Sequence, residues 1–332
     1  MTQTVTATRI GIDRYGDAGV LRRVDAPVGL PGAGEVRIRQ TAVGVNFVDI
    51  YFREGAHPLP ALPDALGVEA AGVVDAVGPG VTDLVAGQRV AYAGLPTGSY
   101  ASVRTLPAER AVAVPDGVSD DAAAAALLKG ITVYMLLHRV RQVGAGDTVL
   151  VHAAAGGVGL LATQWVRSLG ARVIGTVGSA AKAALVRAHG ADAVIDYREE
   201  DFVAAARAFG GGAGVDYAID GIGGDVLTRT LGAVRPFGMV ASIGQVAAIG
   251  ARQTIDLDEL GPARSIALAR PSVLGFIARD VAGYREAARA TLERLAGGMH
   301  VEIGVRLPLE QAADAHRMLA SRETTGAVVL VP

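Results

Sequence analysis

The chain has 332 residues, 51% of them hydrophobic, with 31 Lys and Arg against 33 Asp and Glu and no cysteine. That length and apolar content suit two domains with separate cores, and a net charge of −2 with a pI near 6.3 gives no electrostatic ground for nucleic acid or an anionic membrane as partner. The missing cysteines rule out disulfides, thiol nucleophiles and thiolate metal sites together.

The N-terminal residues lack the basic segment and apolar core of a leader, and no run approaches the roughly 18 apolar residues of a membrane span, so a soluble cytoplasmic protein is expected. Residues 1–127 read as short strands at 35–45, 69–77, 89–92, 99–103 and 111–114, punctuated by the turns P-L-P-A-L-P (58–63) and V-G-P-G-V (77–81). Five alanines at 122–126 begin a helix. Strands and helices then alternate, with strands at 148–152, 172–176, 193–196, 215–220, 239–243 and 265–268, which predicts an α/β domain with a doubly wound parallel sheet. Helices at 280–295 and 309–321 and a strand at 326–331 close the chain; that strand has no βαβ partner after it, so the tail is expected to return to the first domain.

The most informative junction is T-V-L-V-H-A-A-A-G-G-V-G (148–159). A short apolar strand runs into glycines and then into a helix whose apolar positions Leu160, Leu161, Trp165, Val166 and Leu169 recur at helical spacing. The first-turn N–H groups of such a helix form a seat for an anion, and Gly156, Gly157 and Gly159 let a pyrophosphate come close. Ala155 and Val158 belong to the same candidate loop, although Ala154 stands where the usual G-x-G-x-x-G has its first glycine.

Dinucleotide sites for NAD place an acid about twenty residues further on, where it binds the ribose hydroxyls. Here that stretch reads T-V-G-S-A-A-K (176–182), with Gly178 and Ser179 in place of the acid and Lys182 one turn into the next helix. A small residue, a hydroxyl, a helix N-terminus and an ammonium suit a 2′-phosphate, so NADPH is the expected cofactor. Lys182 and Lys129 are the chain's only lysines, which marks both as candidates for tasks arginine does less well. Gly221, Gly223 and Gly224 after the fourth strand, and Ile243, Gly244 and Gln245 after the fifth, complete the candidate cofactor edge.

Several runs carry a family resemblance: G-V-N-F-V-D-I-Y (44–51), L-G-V-E-A-A-G-V-V with V-G-P-G-V (66–81), L-K-G-I-T-V-Y (128–134), H-A-A-A-G-G-V-G (152–159), D-Y-R-E-E-D (196–201) and R-P-S (270–272). End to end, the chain resembles the zinc-independent quinone oxidoreductases, the zeta-crystallin-like branch of the medium-chain dehydrogenase/reductase superfamily. The resemblance implies a GroES-like β-rich catalytic domain (1–127), a Rossmann domain (128–271), a C-terminal segment (272–332) returning to the catalytic domain, and a cofactor in the cleft between them. It further implies Tyr197 and Arg322 beside Lys182 at the 2′-phosphate, Asn46, Tyr51 and Thr132 beside the nicotinamide with Lys129 one turn before Thr132, and a homodimer joined through the strand at 265–268.

Zinc-dependent relatives polarise the substrate with two cysteines and a histidine. In this chain Asn46 occupies the cysteine-like position and Val68 precedes Glu69 where the histidine is needed, so no catalytic metal is expected. A quinone tolerates weak polarisation, needing only a donor such as the Asn46 amide or the Tyr51 phenol. Asp49 is expected to cap or brace the Asn46 turn, the resemblance implies that His57 stands where many relatives carry tyrosine at the substrate rim, and His152 reads as a packing residue. The alternatives are reduction of activated C=C bonds in enones, alkenals or enoyl thioesters, and, less favoured by the acidic pI, a non-catalytic crystallin-like or RNA-binding protein.

Overall fold

The computed structural model describes residues 4–247, 249–321 and 324–332. They form two compact units, Met1–Ile131 with Leu274–Pro332, and Thr132–Val273. In chain order the first unit contains β1 (Val5–Ile12), β2 (Arg22–Val28), β3 (Glu35–Val45), α1 (Phe47–Glu54), β4 (Asp64–Ala65), β5 (Glu69–Val77), β6 (Arg89–Ala93), β7 (Val103–Pro107), β8 (Val112–Ala113) and the start of α2 (Asp120–Met135), inside which the division falls. β3 is its spine, pairing antiparallel with β5 and β7. Its last residues, Ala42 to Val45, are buried on both faces. Gly44 is needed there because a Cβ would lie 2.2 Å from the Ala124 carbonyl oxygen of α2 and 2.4 Å from Glu69 Oε1.

The second unit holds β9 (Thr148–Val151), α3 (Gly157–Ser168), β10 (Arg172–Val177), α4 (Ala180–Ala188), β11 (Ala193–Asp196), α5 (Phe202–Phe209), β12 (Val215–Asp220), α6 (Asp225–Leu231), β13 (Val234–Ser242) and β14 (Ala267–Ala269). The six strands run parallel in the order β11-β10-β9-β12-β13-β14. That is the Rossmann order, which reverses direction between β9 and β12, and ligands bind such sheets beyond the carboxyl ends of the strands at that reversal. Leu150, Ile174, Ile195, Ala218 and Val240 from five strands pack with Phe202, Leu227 and Leu231 from the helices. Each fully buried large side chain of this kind contributes about 1.5–3 kcal/mol.

α7 (Val273–Arg279), α8 (Val281–Ala296), β15 (Ile303–Pro308), α9 (Ala312–Ala320) and β16 (Ala327–Val331) follow. β16 pairs antiparallel with β3, Val328 opposite Val45 and Leu330 opposite Val43, and parallel with β15. Gly130 of α2 lets α8 approach, since its Cβ would lie 2.2 Å from Thr291 Cγ2.

Three readings of the sequence need correction. The strand expected at 99–103 is Val103–Pro107. Residues before it exchange bonds with β1 (Ile10 N–H to Tyr100 O, Ser102 N–H to Thr8 O), and the chain passes to β3 at Ser102, whose carbonyl accepts the Gln40 N–H at 2.9 Å, with paired residues from Val103 onward. The fifth strand of the parallel sheet starts at Val234 rather than 239, its first half obscured by half-exposed Arg235 and an outward Phe237 that is 77% exposed at φ 61°. Finally, a stretch long and apolar enough to cross a membrane does exist: residues 120–140, with a mean hydropathy of 1.3. It is apolar because 83% of its apolar window is buried within the protein, as a core helix requires.

Candidate active site

The turn leaving β9 is built for close backbone approach. Ala153 takes φ 50°, an unusual left-handed conformation for a residue with a Cβ, and Gly156 caps α3 with no side-chain hydrogen bond. The first-turn N–H groups of α3 therefore keep the positive end of the helix available to an anion. A Cβ on Gly159 would lie 2.6 Å from the carbonyl oxygens of Ala153 and Ala154, so glycine alone lets the helix seat on this turn. Ala154 replaces the usual first glycine because the strand beside it gives way: a Cβ on Gly175 would sit 2.6 Å from the Ala154 Cβ. Ala155 is buried, whereas Gly156, Gly157 and Val158 are partly exposed along the loop.

At the end of β10, the Ser179 hydroxyl caps α4 by accepting the Lys182 N–H at 3.3 Å. A Cβ on Gly178 would meet the Tyr197 hydroxyl at 2.4 Å, so the phenol from beyond β11 lies directly over the glycine. Gly178, Ser179, the backbone of Lys182 and Tyr197 thus share one corner. Arg322 lies outside the described residues. Beyond β12 and β13, Ile243 N–H donates to Asp220 O at 2.8 Å, and a Cβ on Gly244 would be 2.6 Å from Gly221 O, so these two loops touch. The Asp220 carboxylate, raised by burial, accepts the Ile222 and Gly223 N–H groups and fixes the loop. His152 is a packing residue: its ring sits between the Thr176 and Thr230 hydroxyls at 2.9 and 2.8 Å, and burial pushes it down to about 3.

In the first unit, Asn46 caps the N-terminus of α1, and its side chain reaches a carboxylate the sequence had not marked as functional. Glu69 is fully buried. Its Oε1 accepts the Asn46 Nδ2–H at 2.7 Å and the Lys129 Nζ–H at 2.8 Å, and its Oε2 accepts the Leu128 N–H at 2.7 Å. Thr132 follows Lys129 by one helical turn. Asn46, Lys129, Thr132 and Tyr51 are each 8–9% exposed. Tyr51 is five residues past Asn46 on α1, and its ring meets His57 edge-on with centroids 5.3 Å apart.

A second buried group stands behind this turn. Asp49 Oδ2 accepts the Asn46 backbone N–H at 2.8 Å and the Tyr100 O–H at 3.0 Å. The Tyr100 oxygen lies 2.9 Å from His316 Nε2, and His316 Nδ1 lies 3.2 Å from Arg53 Nη1. A guanidinium only donates, so Nδ1 accepts, the ring proton sits on Nε2, and every donor in the series points toward Asp49. Burial pushes His316 down to about 3 and the Asp49 carboxyl up to about 7. Among the described residues, Asp49 Oδ1 finds no hydrogen-bond partner.

Comparisons with known proteins agree with this anatomy. Residues 32–116 match the alcohol dehydrogenase GroES-like domain, and residues 157–296 match the zinc-binding dehydrogenase family. The chain is 39% identical to quinone oxidoreductase 1 of Escherichia coli, over 98% of this chain and 100% of that one. It is 40% identical to a 2-haloacrylate reductase of a Burkholderia species, over 93% and 94% of the two chains. The crystal structure of the Escherichia coli quinone oxidoreductase complexed with NADPH superposes with a TM-score of 0.92 at 39% identity, covering 98% of this chain and 100% of that one. With relatives this similar over their whole length, a GroES-like unit and a Rossmann sheet, the chain belongs to the quinone oxidoreductase family of the medium-chain dehydrogenase/reductase superfamily.

Proposed function

We propose that the protein is an NADPH-dependent quinone reductase that works without a metal ion. The observation that carries the cofactor choice is the corner where Ser179 caps α4 and the Tyr197 hydroxyl lies over Gly178, with Lys182 in the first turn of that helix and no acid where an NAD site carries one. The Escherichia coli relative, solved with NADPH, supports it. Ala155, Gly156, Gly157 and Val158 would hold the pyrophosphate, and Gly221, Ile243 and Gly244 the nicotinamide half. When bound, the reduced nicotinamide supplies the reducing equivalents. The chain's own part is to orient a carbonyl acceptor and stabilise charge growing on its oxygen, through donors from Asn46, Lys129, Thr132 and Tyr51. Metal-free chemistry is supported by the donor set: no cysteine exists, and both oxygens of Glu69 are engaged by N–H groups.

Removing the Lys182 ammonium (Lys182→Ala) is expected to weaken NADPH by about 1.5–3 kcal/mol, or roughly ten- to a hundredfold, while leaving NADH nearly unchanged. Titration of cofactor fluorescence measures this, and an unaltered preference between the two cofactors would remove the 2′-phosphate assignment. Steady-state assays of Asn46→Ala and Tyr51→Phe should show kcat reduced by about tenfold or more, as for loss of one acid–base or donor group. Wild-type turnover in both would leave the acceptor pocket without support.

A second reading, reduction of activated C=C bonds, is favoured by the 2-haloacrylate reductase among the relatives. Initial rates on benzoquinone, phenanthrenequinone and an α,β-unsaturated aldehyde discriminate between them, faster reduction of the aldehyde favouring the second. The reading extends to a cytoplasmic homodimer that takes only small-molecule partners. β14 ends the parallel sheet and is the edge through which two copies would pair.

A further inference from the structure

We infer that Glu69 is a positioning residue of the reduction, one carboxylate that sets both the Asn46 amide and the Lys129 ammonium. The inference rests on the reading of Asn46 and Lys129 as acceptor-facing groups. A carboxylate only accepts hydrogen bonds. The Asn46 nitrogen must therefore face Glu69 Oε1, which fixes the rotation of the amide, turns its carbonyl oxygen to the Asp49 N–H of the capping box and leaves its second N–H for another partner. The same oxygen takes one proton of Lys129, at 2.8 Å, and no other side-chain partner of that ammonium is present among the described residues. Lys129 is 8% exposed, and its charge is held there by the fully buried carboxylate.

The surrounding chain keeps Glu69 from moving. Leu128 N–H, in the middle of α2, ties down Oε2. On the other side Gly44 leaves no space for a Cβ between β3 and Oε1. The acid thus joins three segments, the Asn46 cap, β5 and α2, at one point. A lysine suits the place better than an arginine, because a compact ammonium can share a single oxygen with an amide whereas a planar guanidinium takes a carboxylate edge to edge. That gives a reason for one of the chain's two lysines.

Those two lysines also make the test direct. Protein labelled with carbon-13 at the lysine ε position gives two resonances, and Lys182→Arg identifies Lys129. In Glu69→Gln the buried ammonium loses its counter-charge, so its titration should move to lower pH. The kcat of Glu69→Gln should fall about ten- to a hundredfold, the scale on which a group orienting a reacting side chain is felt. KM for NADPH should change little, and the kcat profile should gain a descending alkaline limb that follows the Lys129 titration. Glu69→Asp, which keeps the charge, should restore a flat profile at reduced kcat. An unshifted Lys129 titration with wild-type kcat in Glu69→Gln would overturn the inference.

Should Glu69→Gln fail to fold, a double-mutant cycle of Asn46→Ala and Lys129→Met decides without it: a shared anchor requires non-additive effects on kcat, and additive ones contradict it. If the wild type oxidises NADPH with no quinone or enone, the functional reading fails while the lysine titration still decides the Glu69 contact.

Discussion

Gly44→Ala is expected to be among the most damaging single-methyl additions in the chain. The new carbon would be 2.2 Å from a backbone oxygen of α2 and 2.4 Å from the Glu69 carboxylate, where ordinary contact needs more than an ångström of extra space. Neither neighbour can turn aside: one is helix backbone, and the other is held by Asn46, Lys129 and Leu128. β3 and α2 must separate or Glu69 must leave its donors. Overpacking costs about 1–3 kcal/mol, and disturbing a buried hydrogen-bonded charge pair about 3–5 kcal/mol. A combined loss near 4 kcal/mol lowers the melting temperature of a unit this size by roughly 10 °C. Gly144→Ala is the control, because a Cβ there meets nothing within 4 Å. Its effect should stay within about 0.5 kcal/mol. Calorimetry on the two variants checks the contrast, and equal melting temperatures would mean that β3 and α2 are not packed as described.

The second large effect concerns Asp49 and pH. Burial first, and then the nearby Glu69 charge, raise its carboxyl from 3.8 to about 7, against the Asn46 N–H, the Tyr100 O–H and the Lys129 charge, which pull the other way. The folded protein therefore holds this proton more tightly than the unfolded chain does. The stability it confers is complete below pH 3.8 and is lost as pH rises through about 7. The gap corresponds to roughly 4 kcal/mol. Asp49→Asn removes the ionisation. Its amide oxygen can still accept both donors, while its N–H groups replace the unpartnered Oδ1 at a cost of about 1–3 kcal/mol at every pH. Urea unfolding should then find the variant less stable than wild type near pH 4, and the gap should close or reverse by about pH 8. A difference that stays constant across that range would refute the buried, proton-holding carboxyl.

What the sequence made legible was what neighbouring residues decide among themselves. The alternation of strands and helices, the apolar run before Gly156 and the missing acid before Lys182 are local patterns, and the Rossmann strand order follows from them. The groups that orient the site are held by distant partners. Glu69 reaches Asn46 across 23 positions and Lys129 across 60, and Arg53 reaches His316 across 263. For Tyr100 and His316 no spacing in the chain signals the contact. Glu69 and Lys129 did carry a signal: each is a single charge inside an apolar run, L-G-V-E-A-A-G-V-V and A-A-A-A-A-L-L-K-G-I, and the charges are opposite. A charge buried in such a run needs a partner, so the pair could have been matched from composition alone. The strand expected at 99–103 failed because the chain changes strand partner at Ser102, a choice made by β1 and β3 rather than by the segment itself.

The central claim is that NADPH reduces a carbonyl acceptor here with protein donors alone. Its most direct test is the rate of NADPH and NADH oxidation by benzoquinone in enzyme stripped with a strong chelator. Undiminished turnover after stripping and a clear preference for NADPH are expected. Loss of activity on chelation with recovery on adding zinc, or a preference for NADH, would contradict it.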